Sequence, residues 1–90
     1  MVNYQNGRIY RLVCNVTGLQ YVGSTCQPLH KRKFAHTSNY KQWKAGKFNY
    51  ITSFKTLEHG DYDIFLIEEY ACDNKQQLQQ RERYWIEQTQ

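Results

Sequence analysis

Ninety residues, 40% hydrophobic and 16% aromatic with a single proline, describe one small globular domain with a modest core. No apolar run approaches a membrane span, and the polar start MVNYQNGR is not a signal peptide. Three scattered cysteines without a CxxC pair exclude a disulfide framework, so the chain reads as intracellular, of cytoplasm or nucleus, and not secreted.

The net charge of +4 hides an asymmetry. Residues 1–57 hold nine Lys/Arg and no acid, whereas residues 58–90 hold all eight acids and three bases. An acid-free stretch of that length suits a polyanionic partner through counterion release.

In chain order, Gly7 to Cys14 reads as a strand and Leu19 to Gly23 as its antiparallel partner. Asn15 suits the start of the turn between them, and Gly18 suits a left-handed position. With Val16 and Thr17 as a two-residue loop, Leu12 faces Tyr21, and Tyr10 lies diagonal to Tyr21 on the same face. A bulge at Gly18 would shift the parity and separate the two phenols, and the sequence is compatible with either arrangement.

Pro28 suits the first turn of a helix carrying Leu29, Arg32, Lys33, His36 and Tyr40 at three- and four-residue intervals, ending before Gly46. Six of the nine bases fall between Lys31 and Lys47, interleaved with Phe34, Tyr40 and Trp43. Asn49 is placed to cap a second helix, with Ile51, Phe54 and Leu57 inward and Gly60 as its stop. The most apolar run, Tyr62 to Tyr70, is expected as the central strand. Asn74 with Gln77 resembles a capping box opening the last helix. That helix runs out at WIEQTQ without a glycine stop or a basic last turn, so residues 1–90 read as a single domain cut from a longer protein. The order β-β-α-α-β-α predicts an α+β fold, a small three-stranded antiparallel sheet flanked by helices.

The last helix carries a carboxylate where apolar residues are expected. At 100° per residue, Leu78, Trp85, Ile86 and Thr89 form a core-facing stripe, and Glu82 sits in its middle. An acid there needs a partner or a cation. One solution is an ion pair with Arg11 or Arg32. The other is a divalent ion, because Mg²⁺ is commonly held by one or two carboxylates plus waters and phosphate oxygens. On the first helix, Arg32 and His36 are one turn apart, the first suited to a phosphate and the second to moving a proton.

Ile9-Tyr10, Tyr21-Val22-Gly23, Arg32-x-x-x-His36 and Glu82 before Tyr-Trp-Ile together resemble the GIY-YIG nuclease superfamily over nearly the whole chain. The pattern departs in three places. Arg8 stands where the first motif has its leading glycine, with Gly7 one place earlier, and Val22 replaces an isoleucine. The asparagine usual after the glutamate helix would lie beyond Gln90.

The resemblance implies a divalent-metal-dependent endonuclease that hydrolyses phosphodiester bonds in DNA. It implies Glu82 as the protein ligand to Mg²⁺ or Mn²⁺, and Arg32 on the scissile phosphate. It also implies a tyrosine as general base, Tyr10 favoured over Tyr21, with its proton passing to His36 or its phenolate held near Arg32 and the metal. Gly23, Ser24, Thr25, Lys31, Lys33, Lys41 and Lys44 are the expected DNA contacts, and sequence-specific targeting is expected from a separate domain or partner. The alternative is a non-catalytic nucleic-acid-binding module using the basic-aromatic surface 31–47, which gives no reason for Glu82 on an apolar stripe. The cysteine and histidine spacings match no zinc-ligand pattern.

Overall fold

The structure, a computed structural model, describes residues 2–89. A 3₁₀ turn, Tyr4–Asn6, precedes strands β1 (Arg8–Cys14) and β2 (Gln20–Thr25). Helices α1 (Leu29–Lys44) and α2 (Phe54–Leu57) follow, then β3 (Tyr62–Glu69) and α3 (Lys75–Gln88). The α+β class and the order β-β-α-α-β-α are as expected, and both strand pairings are antiparallel.

The β1–β2 turn keeps the register that unites the phenols. The Cys14 N–H donates to Leu19 O, the Gly18 N–H donates back to Cys14 O (both 2.9 Å), and Gly18 takes φ 78°. Leu12 consequently lies opposite Tyr21, and Tyr10 lies opposite Gly23. Side chains alternate across a strand, so Tyr10, Leu12, Tyr21 and Gly23 share one face while Ile9, Val22 and Ser24 share the other.

The sheet order is β2-β1-β3, which corrects the expectation that Tyr62 to Tyr70 is central. β1 occupies the middle and buries Ile9, Tyr10, Leu12 and Cys14 almost completely, drawing on both faces. β3 is an edge strand whose Phe65 and Leu66 remain 44% and 45% exposed. Apolar content measures how greasy a strand is, not how many neighbours it has. The guanidinium of Arg11 on β1 lies over the Phe65 ring, 5.2 Å from the centroid. Pairing with β3 shifts by one residue between Ile9 and Tyr10, leaving Ile67 as the extra residue.

Two apolar clusters cover the two faces. Ile9, Val22, Cys72 and Leu78 pack beneath α3, with Trp85 and Ile86 at the margin. Tyr10, Leu12, Phe54 and Leu57 pack beneath α1 and α2, with Tyr40 and Trp43 against them. Phe54 is ringed by Tyr40, Trp43, Phe48 and Tyr50, centroids 5.5–6.3 Å away.

The second helix is shorter than expected. It is one turn, with Ser53 rather than Asn49 at its N-cap, because Phe54 and Leu57 are anchored in the core while Ile51 is only half-buried. At α3, the Asn74 side chain accepts from the Gln77 N–H at 3.0 Å, as expected of a cap. The return bond goes one residue further out, from the Asp73 N–H to Gln77 Oε1 at 2.8 Å. Thr89, expected on the buried stripe, is exposed, and its hydroxyl donates to the carbonyls of Trp85 and Ile86.

Candidate active site

Burial and alternation bring the expected residues together. β1 delivers Tyr10 fully buried, β2 delivers Tyr21 half-buried, and the inward face of α1 delivers Arg32 and His36 one turn apart. The Arg32 Nε–H donates to the Tyr10 hydroxyl at 3.1 Å, and that oxygen lies 2.8 Å from His36 Nε2. Because Tyr10 accepts from Arg32, its own proton points to His36, whose Nε2 is then the accepting nitrogen. The Tyr21 ring meets the His36 ring edge-on, centroids 5.9 Å apart, as does the Tyr10 ring.

These contacts set the charges. Burial pushes the Tyr10 phenol from 10.0 up to about 12, opposed by the hydrogen bond and charge of Arg32 and reinforced by Tyr21 and Glu82. Burial and then the Glu82 carboxylate raise the Tyr21 phenol. Burial, helped by the Arg32 charge, depresses His36 from 6.5 to about 4. At neutral pH, His36 is an uncharged acceptor facing a protonated phenol.

Glu82 is not buried in the core, as the helical stripe had indicated, but half-buried at its rim. Its Oε1 accepts from the Ser24 hydroxyl at 2.6 Å. Neither arginine considered for an ion pair takes it: Arg32 bonds Tyr10, Arg11 lies over Phe65, and no basic side chain among the described residues pairs with it. The carboxylate lies near enough to both phenols for its charge to raise them. α3 and α1 lie on opposite faces, so the acid and the phenols meet at β2, an edge strand that at Gly23 carries no side chain.

Gly23 leaves room for the phenol. A Cβ placed there would lie 2.5 Å from the Tyr10 hydroxyl oxygen and 2.6 Å from Cζ. Gly7, one place before the motif's usual glycine, has its own close approach: a Cβ would collide with the Tyr70 carbonyl.

The expected DNA contacts fare differently. Lys31 and Lys41 are exposed on α1, whereas Lys33 is tied to Asp63 at 3.6 Å and lies over the Tyr62 ring. Lys44 lies over the Tyr40 and Trp43 rings. The Thr25 hydroxyl is turned to its own backbone, accepting from the Gln27 N–H at 3.1 Å. Beside the site, a groove of about 560 Å³ is lined by Ser24, Thr25, Gln27 and Arg32. Of the aromatics interleaved with the lysines, Phe34 is 74% exposed, while Tyr40 and Trp43 pack against the core.

Sequence reasoning passed over two features. Glu68 on β3 grips Arg81 with two bonds of 2.5 and 2.8 Å and accepts from Trp85 Nε1 at 3.2 Å, fixing α3 to the sheet. The Ser53 hydroxyl, fully buried, reaches His36 Nδ1 at 3.3 Å. Both join residues far apart in sequence, and no local pattern announces them.

The sequence profile of the GIY-YIG catalytic domain matches residues 6–90. The chain belongs to the GIY-YIG catalytic domain family. As a member it is an endonuclease domain, which implies DNA as substrate, and nucleases of this family generally use divalent metal ions. Its fold is similar to two solved structures. One is the catalytic domain of the intron endonuclease I-TevI in a glutamate-to-alanine mutant form, with TM-score 0.64 and 23% identity, covering 91% of this chain and 81% of that one. The other is the catalytic domain of the homing endonuclease I-TevI, with TM-score 0.63 and 24% identity, covering 91% and 86%. No curated protein matches the chain.

Proposed function

We propose that residues 1–90 form a single divalent-metal-dependent endonuclease domain in which Glu82 holds one Mg²⁺ or Mn²⁺, Arg32 grips the scissile phosphate and Tyr10 is the general base. The observation that carries this reading is the Tyr10 hydroxyl bridging Arg32 Nε and His36 Nε2. The metal suits the residues present. Glu82 offers a carboxylate with one oxygen steadied by Ser24 and no basic partner among the described residues, and a single carboxylate plus waters and phosphate oxygens is an ordinary donor set for Mg²⁺. When bound, the cation supplies charge stabilisation at the phosphate and at the departing 3′ oxygen.

The side chains do the rest. As the water's oxygen bonds to phosphorus and the P–O3′ bond breaks, the Tyr10 oxygen takes the water's proton while its own proton passes to His36 Nε2 in the same step, and the departing 3′ oxygen is protonated from solvent. Arg32 donates to the Tyr10 oxygen and offers further N–H donors to phosphate oxygens. Tyr21 positions the water or phosphate, and Lys31 and Lys41 hold flanking backbone. Sequence-specific targeting belongs to a separate domain or partner, and the setting is intracellular.

One observation favours Tyr21 as base instead: it is half-exposed, whereas Tyr10 is fully buried. The binding-module alternative accounts for the lysines but leaves Glu82 and the Tyr10–His36 bond without a use.

Relaxation of supercoiled plasmid with Mg²⁺ tests the assignment. Glu82→Gln and Arg32→Ala should each lower nicking at least about 100-fold while gel retention persists. Wild-type nicking by either variant ends it. Tyr10→Phe should cost far more rate than Tyr21→Phe or Tyr70→Phe, and a larger loss at Tyr21 transfers the role of base.

A further inference from the structure

Ser53 sits at the N-cap position of α2, where serine ordinarily bonds a backbone N–H of the first turn. It makes no such bond. Its side chain is fully buried, and its hydroxyl lies 3.3 Å from His36 Nδ1. The other ring nitrogen, Nε2, lies 2.8 Å from the Tyr10 hydroxyl, which already accepts from Arg32 Nε.

We infer that Ser53 is a positioning residue for the reaction, holding His36 as the Nδ1–H tautomer so that the Nε2 lone pair faces Tyr10. The assignment follows from donor counting. The Tyr10 oxygen receives the Arg32 N–H, so its proton needs an acceptor, and His36 Nε2 is the acceptor within reach. A neutral imidazole accepting at Nε2 carries its proton at Nδ1, and the Ser53 oxygen is the partner for that proton. The opposite tautomer would aim two N–H donors at the Tyr10 oxygen and leave its own proton without a partner. A buried hydrogen bond to the second ring nitrogen also fixes the plane of the imidazole.

The role in catalysis rests on the endonuclease reading above, whereas the tautomer is a property of the free protein. The test therefore has two arms. In the first, ¹⁵N chemical shifts of His36 are recorded at neutral pH without DNA or metal. Wild type should show a protonated Nδ1 and an unprotonated Nε2, and Ser53→Ala should shift the population toward Nε2–H. A wild-type ring protonated at Nε2, or identical ring shifts in Ser53→Ala, overturns the inference.

In the second arm, plasmid nicking by Ser53→Ala should fall ~10- to 100-fold with gel retention unchanged. Ser53→Cys, which keeps side-chain bulk but offers only a weak acceptor, should fall between the two. Unchanged nicking in Ser53→Ala removes the role in catalysis. Failure of wild type to nick, with the expected tautomer present, counts against the endonuclease reading and leaves the Ser53–His36 assignment standing. Should Ser53→Ala fail to fold, the wild-type spectrum and the Ser53→Cys rate still decide.

Discussion

At Gly23 the backbone of β2 passes so close to the Tyr10 ring that a methyl group and the phenol cannot share the space. Gly23→Ala must therefore push the Tyr10 hydroxyl off His36 and Arg32 or strain the strand, at a cost of about 1–3 kcal/mol in stability. A displacement of that kind in a positioned group lowers rates on the order of 100-fold. The expected result is plasmid nicking reduced to that degree with DNA still retained in a gel. Preserved nicking by Gly23→Ala would show that the phenol has no need of its place over this strand. The glycine and tyrosine were legible as a motif, but the reason for the glycine was not. It lies in cross-strand pairing of Tyr10 with Gly23, which needs the register of the hairpin.

Among the elements, α3 carries Glu82, the proposed metal ligand. Two devices hold it. Its start is capped by Asn74, a local signal visible in the sequence, and its middle is fixed to β3 by Glu68 and Arg81, a non-local one that is not. Asn74→Ala removes an acceptor for one exposed helix N–H and should lower stability by about 1 kcal/mol. A drop in the urea midpoint at unchanged slope is the expected reading, and no drop would mean that Gln77 and Asp73 cap the helix without Asn74. The misjudged elements fail for a common reason. The centrality of β1 and the shortness of α2 depend on which surfaces other elements cover, and neither strand composition nor a lone Asn49 reports that.

For the molecule as a whole, burying a neutral histidine makes folding pH-dependent. The folded state holds the His36 pKa near 4, below the ordinary 6.5, so between those values the unfolded chain binds more protons. Stability is fully present above about pH 6.5 and declines as pH falls toward 4. The loss between pH 7 and 5 should be about 2 kcal/mol, read from urea midpoints and flattened in His36→Gln. Arg81 holds the Glu68 carboxyl below its usual range, which adds acid sensitivity in the same direction at lower pH. A midpoint constant from pH 7 to 5 would contradict a neutral buried imidazole. Charge acts at the same scale. The logarithm of DNA affinity should fall linearly with log salt concentration, and Lys31→Ala or Lys41→Ala should each reduce that slope by about 1. Lys33→Ala should change it less, because that ammonium is already engaged by Asp63. Equal slopes for all three would show that the surface is not sorted in this way.

The sequence by itself determined the element order, the α+β class and the charge asymmetry, and it put forward Tyr10, Tyr21, Arg32, His36 and Glu82 as candidate site residues. All of these rest on local spacing or on motifs short enough to read along the chain. Only the tertiary structure decided that β1 is central, that Glu82 stands at the rim on Ser24, that Lys33 is paired, and that Ser53 backs His36. Each of those depends on contacts between residues distant in sequence, and such contacts leave no periodic trace in the chain that makes them.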